Sequence, residues 1–134
     1  MYTNADLIPQ KKLELLEMIK QQRSLLIAIR EIQPKRPTDR TIKDYKIPDN
    51  AQYQTNLDKV VGRGIAIYAH SSISHSINEI ALDHSFKELC AVEIKLKNKD
   101  TILFGCLYKS PSNTTESDAN NRSLNALLKY LCHE

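Results

Sequence analysis

The 134-residue sequence predicts an α/β (α+β) protein, on three observations. Leu13, Leu16 and Ile19 recur at helical spacing, and the apolar run Leu25 to Ile29 follows at once, as a helix feeding a buried strand would. Farther on, Cys90, Val92, Ile94 and Leu96 alternate with Ala91, Glu93 and Lys95, the period-two pattern of a sheet with one wetter face. Near the end, Leu124, Leu127, Leu128 and Leu131 form an i, i+3, i+4, i+7 stripe that marks a second amphipathic helix.

The elements follow in chain order. Met1 to Asn4 is short enough for a first strand, and a helix runs from Pro9 to about Gln22, with Leu15 and Met18 beside the periodic residues. Leu25 to Ile29 is too short and too apolar for a helix and is expected to be a strand buried on both faces, giving a β-α-β start. From Gln33 to Val60 the composition turns polar, with Pro34, Pro37 and Pro48, and predicts an extended loop region of about 33–60 with room for a short strand. Gly62-Arg63-Gly64 then introduces the compact strand Ile65 to Ala69, a loop spans His70 to His75, and Ile77 to Ile80 makes another short strand. Glu88 to Leu96 and Thr101 to Tyr108, joined by Lys97-Asn98-Lys99-Asp100, form a hairpin. Ser117 or Asp118 is the expected N-cap of the last helix.

Composition narrows the function classes. A 41% apolar and 26% charged chain is ordinary for a globular domain, and this length supports one modest core. A net charge of +3 and a pI near 8.7 suit a polyanionic partner without the strongly basic signature of a dedicated nucleic-acid binder. Basic residues cluster at Lys11 and Lys12, at Lys35 and Arg36, and at Lys95, Lys97 and Lys99, as solvated surfaces commonly do. Cys90, Cys106 and Cys132 form no C-x-x-C pair, so neither a disulfide nor a zinc framework is expected. No signal peptide or membrane span is visible, which predicts an intracellular setting, cytoplasm or nucleus, in which the sequons at Asn113 and Asn121 have no meaning. His70, His75 and His84 lack partners at ligand spacing, and a Cys132/His133 dyad is unattractive because neighbours on a helix point apart.

Chemistry gathers at strand ends, where α/β sheets keep their sites. The first apolar run ends on Arg30 and Glu31; Asn4 and Asp6 sit in a Thr3-Asn4-Ala5-Asp6 turn upstream; and Leu107-Tyr108-Lys109-Ser110-Pro111 closes the last strand. Singly, each has a plain structural reading: a carboxylate capping a strand, an Asx turn, an amphipathic ring at a sheet margin. Together they suggest one shared site.

In this order and spacing, Tyr2-Thr3-Asn4-Ala5-Asp6, Leu26-Ile27-Ala28-Ile29-Arg30-Glu31, Gly62-Arg63-Gly64-Ile65-Ala66-Ile67-Tyr68 and Leu107-Tyr108-Lys109-Ser110-Pro111-Ser112 resemble the N-terminal half of the endonuclease/exonuclease/phosphatase superfamily. The nearest likeness is to endonuclease domains of non-LTR (LINE-type) retrotransposons. The resemblance implies the N-terminal half of a four-layer α/β/β/α sandwich with a mixed, mostly antiparallel sheet and flanking helices. It implies that Asn4 and Glu31 surround a divalent cation, with Glu31 the main ligand and Asp6 acting through water. It further implies that Tyr108 contacts the scissile phosphate, with Lys109 beside it where many members carry arginine. The ion would be Mg²⁺, with Mn²⁺ as the alternative, and the partner DNA.

The superfamily takes its general base from a Gly-Asp-x-Asn motif after the next strand, which is absent from residues 1–134. The expectation is therefore a partial domain, 1–134, of a Mg²⁺-dependent phosphodiester hydrolase, inactive alone. A non-catalytic remnant or interaction module, or a phosphatase branch of the superfamily, is the alternative.

Overall fold

Apolar runs and strand positions coincide closely. The computed structural model describes residues 2–4, 8–32, 46–55, 64–80, 86, 88–109 and 115–132, with side chains from residue 12 onward except at 54, 55 and 115–117. Asp6, His84 and His133, the Gly62-Arg63 pair, Lys35 and Arg36, and much of the 33–60 loop lie outside them. Strand β1 (Tyr2–Asn4) leads into helix α1 (Ile8–Gln22) and strand β2 (Leu26–Arg30). Strands β3 (Asn50–Thr55) and β4 (Ile65–His70) follow, then a 3-10 turn at Ser74–Ser76 and strand β5 (Ile77–Ile80). The hairpin β6 (Leu89–Lys95) and β7 (Thr101–Leu107) precedes helix α2 (Thr115–Cys132).

Two sheets result. The first has the order β1-β2-β4-β3, with β1 parallel to β2 and the other pairs antiparallel; the second is antiparallel, in the order β5-β6-β7. Alternation along β2 and β4 divides the core. Ile27, Ile29, Ala66 and Tyr68 pack with Leu15, Ile32 and Ile47 on the α1 side. Ala28, Ile65, Ile67 and Ala69 point the other way, onto Ile77, Cys90, Val92 and Cys106 of the second sheet. Across the ladder Ile29 faces Ala66 and Ala28 faces Ile67, large against small, while the two large side chains Ile27 and Tyr68 face each other. Helix α1 thus covers one face of the first sheet and the second sheet covers the other.

The hairpin turn works by local chemistry. Lys99 is left-handed (φ 71°), its N–H donates to Leu96 O at 3.0 Å, and Leu96 N–H donates back to Asp100 O at 2.8 Å. Asn98 Nδ2 donates to the Asp100 carboxylate.

Several expectations need correction. Leu13 is 84% exposed, because at about 100° per residue it lies about 110° around the helix from the mean direction of Leu15, Leu16 and Ile19. Likewise Leu128 is exposed while Leu127 is fully buried, so the buried face of α2 is narrower than its leucine stripe. That helix starts at Thr115, placing Ser117 and Asp118 inside its first turn rather than at the N-cap. Leu25 and Leu96 stand outside their strands and are 52% and 40% exposed. The short strand allowed for in the polar stretch, by contrast, is present as β3, paired with β4 from Asn50 to Thr55.

Candidate active site

Glu31 is placed by the end of β2 and by an unusual backbone. Its φ of 56° is left-handed, a conformation that side chains other than glycine's rarely adopt and that tends to persist at functional positions. The turn is held from both sides: Ile32 is fully buried, and its N–H donates to Gly64 O at 3.4 Å. Gly64 itself has a φ of 78° at the start of β4, which explains the glycine there.

Tyr108 arrives from the other sheet. It follows β7, and its N–H donates to Glu88 O at 3.0 Å, continuing the β6–β7 ladder one step past Leu89 opposite Leu107. The Tyr108 hydroxyl donates to Glu31 Oε1 at 2.6 Å, a short bond of the length expected when a hydroxyl meets a carboxylate. The Arg30 guanidinium stands 5.1 Å from the centroid of the Tyr108 ring, within cation–π range. Two strand ends on facing sheets thus converge on one carboxylate.

The same arrangement governs protonation. The hydrogen bond to Glu31 pushes the Tyr108 phenol up to about 12, aided by partial burial and by the negative charges of Glu31 and Glu88, while Arg30 opposes. Tyr108 therefore remains a proton-bearing donor at any physiological pH. It can give its hydrogen bond to an anionic oxygen, whether carboxylate or phosphate.

Asn4 ends β1, in parallel register with Arg30, which sets its backbone one step from Glu31. Lys109 follows Tyr108 and is exposed, free to meet a charged ligand in solvent. The predicted grouping of Glu31 and Tyr108 is therefore present, with the Asn4 backbone alongside; Asp6 lies outside the described residues. Sequence reasoning overlooked Arg30 and Glu88. Glu88 is only 5% exposed, the buried charged residue among those described, and the hairpin register that sets Leu89 opposite Leu107 already implied that Glu88 lies beside Tyr108.

The donor chemistry fits a hard divalent ion. Glu31 offers an oxygen ligand, and among the described residues no three His, Cys, Asp or Glu side chains come together. Among the described residues no helix is long and apolar enough to cross a membrane.

The sequence matches no family model and no curated protein. Its structure does have a counterpart. It is similar to the endonuclease domain of TRAS1, a telomere-specific non-LTR retrotransposon, with a TM-score of 0.59 and 14% identity. The match covers 94% of this chain and 51% of that one, so the chain spans about half the length of its structural relative. The fold is that of one half of such an endonuclease domain, as the ordered motifs predicted.

Proposed function

We propose that this chain carries the metal- and phosphate-binding half of a Mg²⁺-dependent DNA endonuclease site of the retrotransposon type. The observation that carries the reading is the 2.6 Å bond from the Tyr108 hydroxyl to Glu31, which joins the ends of β2 and β7 at one point. In this reading Glu31 holds the ion, with Asp6 acting through water, and Mn²⁺ can substitute. The ion supplies charge neutralisation at the phosphate oxygens and a more acidic bound water. Tyr108 gives its proton-bearing hydroxyl to a phosphate oxygen, Asn4 orients the same group, and Lys109 adds a positive charge without arginine's two-pronged grip. Arg30, stacked on the Tyr108 ring, fixes that ring in place.

Residues 1–134 contain no Gly-Asp-x-Asn motif, so the reading includes no turnover by these residues alone. Plasmid nicking with Mg²⁺, and with chelator as control, tests that part: robust Mg²⁺-dependent nicking by the purified chain would overturn it. The binding part is tested by calorimetry. Glu31→Gln removes the ligand charge and is expected to weaken Mg²⁺ at least about tenfold, which is about 1.4 kcal/mol; unchanged affinity would count against Glu31 as the ligand.

A second reading is favoured by one feature. β7 is an edge strand of the second sheet with no charge between Thr101 and Leu107, and its Ile102 and Leu103 are 47% and 44% exposed. Such an edge suits pairing with another strand, as an interaction module would use it. A reading frame continuing beyond Glu134 into Gly-Asp-x-Asn supports the nuclease; unrelated sequence there supports the module.

A further inference from the structure

A second concave site lies at the opposite end of the first sheet. The C-terminal turn of α1, the residues leading into β3 and the end of β4 surround a cavity of about 590 Å³. The five residues of β2 separate Leu25, on its wall, from Glu31, so six steps of ~3.3 Å put the two ends ~20 Å apart. The volume falls within the roughly 300–1,000 Å³ of small-molecule sites.

Its lining has two parts. The walls are aliphatic, from Leu16, Ile19, Leu25 and Ile47. This accounts for Leu25, a large apolar residue half exposed at the start of a strand. The rest of the lining is polar and includes two cations, Lys20 and Arg23, with His70, Ser72 and the single carboxylate of Asp49. His70 Nδ1 accepts the Ser72 amide N–H at 3.2 Å and lies 2.8 Å from Ser72 Oγ. An Nδ1 that accepts from an amide carries no proton, so neutral His70 bears its proton on Nε2 and is a hydrogen-bond donor there. Two cations and a donor on an apolar pocket select one ligand chemistry.

We propose that this cavity binds a small apolar acid, its hydrocarbon body among the aliphatic walls and its anionic group on Lys20 and Arg23. The site is independent of the Glu31 end. The test uses two fluorescent probes with the same ring body: anilinonaphthalene sulfonate, which is anionic, and phenylnaphthylamine, which lacks the sulfonate. The folded 134-residue protein is expected to bind one equivalent of the anionic probe saturably. The double substitution Lys20→Gln, Arg23→Asn should weaken that probe about fivefold and leave the neutral one unchanged, since two exposed charges each contribute modestly. Asparagine is chosen because Arg23 is left-handed (φ 49°), a conformation asparagine accepts. Leu25→Trp, at a half-exposed position on the wall, should crowd the cavity and weaken binding of both probes with unchanged circular dichroism. Absent or multi-site binding by the wild-type protein would overturn the proposal. So would equal effects of the charge substitutions on both probes, or undiminished binding by the tryptophan variant.

Discussion

Tyr108 and Glu31 are 77 residues apart in sequence and joined by a 2.6 Å hydrogen bond. Because that bond is the first cause of the raised Tyr108 pKa, Glu31→Gln should return the phenol toward its ordinary value of about 10. The check is tyrosinate absorbance against pH, taken as the difference between Glu31→Gln and the same protein carrying Tyr108→Phe as well. A Tyr108 that still ionises near 12 would show that burial and Glu88, not Glu31, hold it up. Tyr108→Phe in the wild-type background removes the only donor the bond has, and should cost about 1 kcal/mol in urea unfolding, since the pair is only partly buried. How much of this site was legible follows from the same residues. Glu31 and Tyr108 could be picked out because each is a polar residue directly after an apolar run. Arg30 could not, because it acts by stacking on a ring from the other sheet, a relation with no signature along the chain. Glu88 becomes visible only when the hairpin register is laid out residue by residue, which sets it beside Tyr108.

Among the elements, those with strong periodicity were legible and those that depend on their neighbours were not. β6, β7 and their turn lie within a residue of expectation, since alternation and turn chemistry are local signals. β3, by contrast, reads Asn50-Ala51-Gln52-Tyr53-Gln54-Thr55, a polar segment that becomes a strand because β4 offers it a ladder. The face of α1 was also misjudged, since Leu13 joins the apolar spacing but not the buried stripe. Two substitutions separate these positions. Leu15→Ala, at a residue 5% exposed between α1 and the first sheet, should cost about 2–5 kcal/mol in urea unfolding. Leu13→Ala, at 84% exposure, should stay within about 0.5 kcal/mol of wild type. Equal losses would mean that the helix is rotated from the orientation described.

At the scale of the whole molecule, the interior between the two sheets holds a pair of thiols whose ionisation is coupled to folding. Cys90 and Cys106 are register partners on β6 and β7, both buried and both free, and they face Ile65 and Ile67 of the first sheet. Burial is the main cause of their raised pKa values, about 12 for Cys90 and about 11 for Cys106, against an ordinary 9.0. For Cys90 the charges of Glu79 and Cys106 add to the effect, whereas Arg30 lowers Cys106 slightly. The sign of the linkage follows. Below pH 9 the thiols are protonated in both folded and unfolded chains and stability is unaffected. Above it the unfolded chain releases protons that the native core retains, so the unfolded state is favoured progressively as pH rises toward the folded values. By about pH 10 each thiol should lower stability by about 1.4 kcal/mol, and the pair by about 2.8 kcal/mol. The measurement is urea unfolding of wild type and of Cys90→Ala, Cys106→Ala between neutral pH and about pH 10. The double variant starts lower, because deleting two buried sulfurs leaves small cavities, but its stability should fall less over that interval. Tyr108 contributes an alkaline slope of the same sign to both proteins and cancels in the difference. Parallel slopes would show that the space between the sheets admits enough water for the thiols to ionise in place, and so that the two sheets pack less tightly than their register implies.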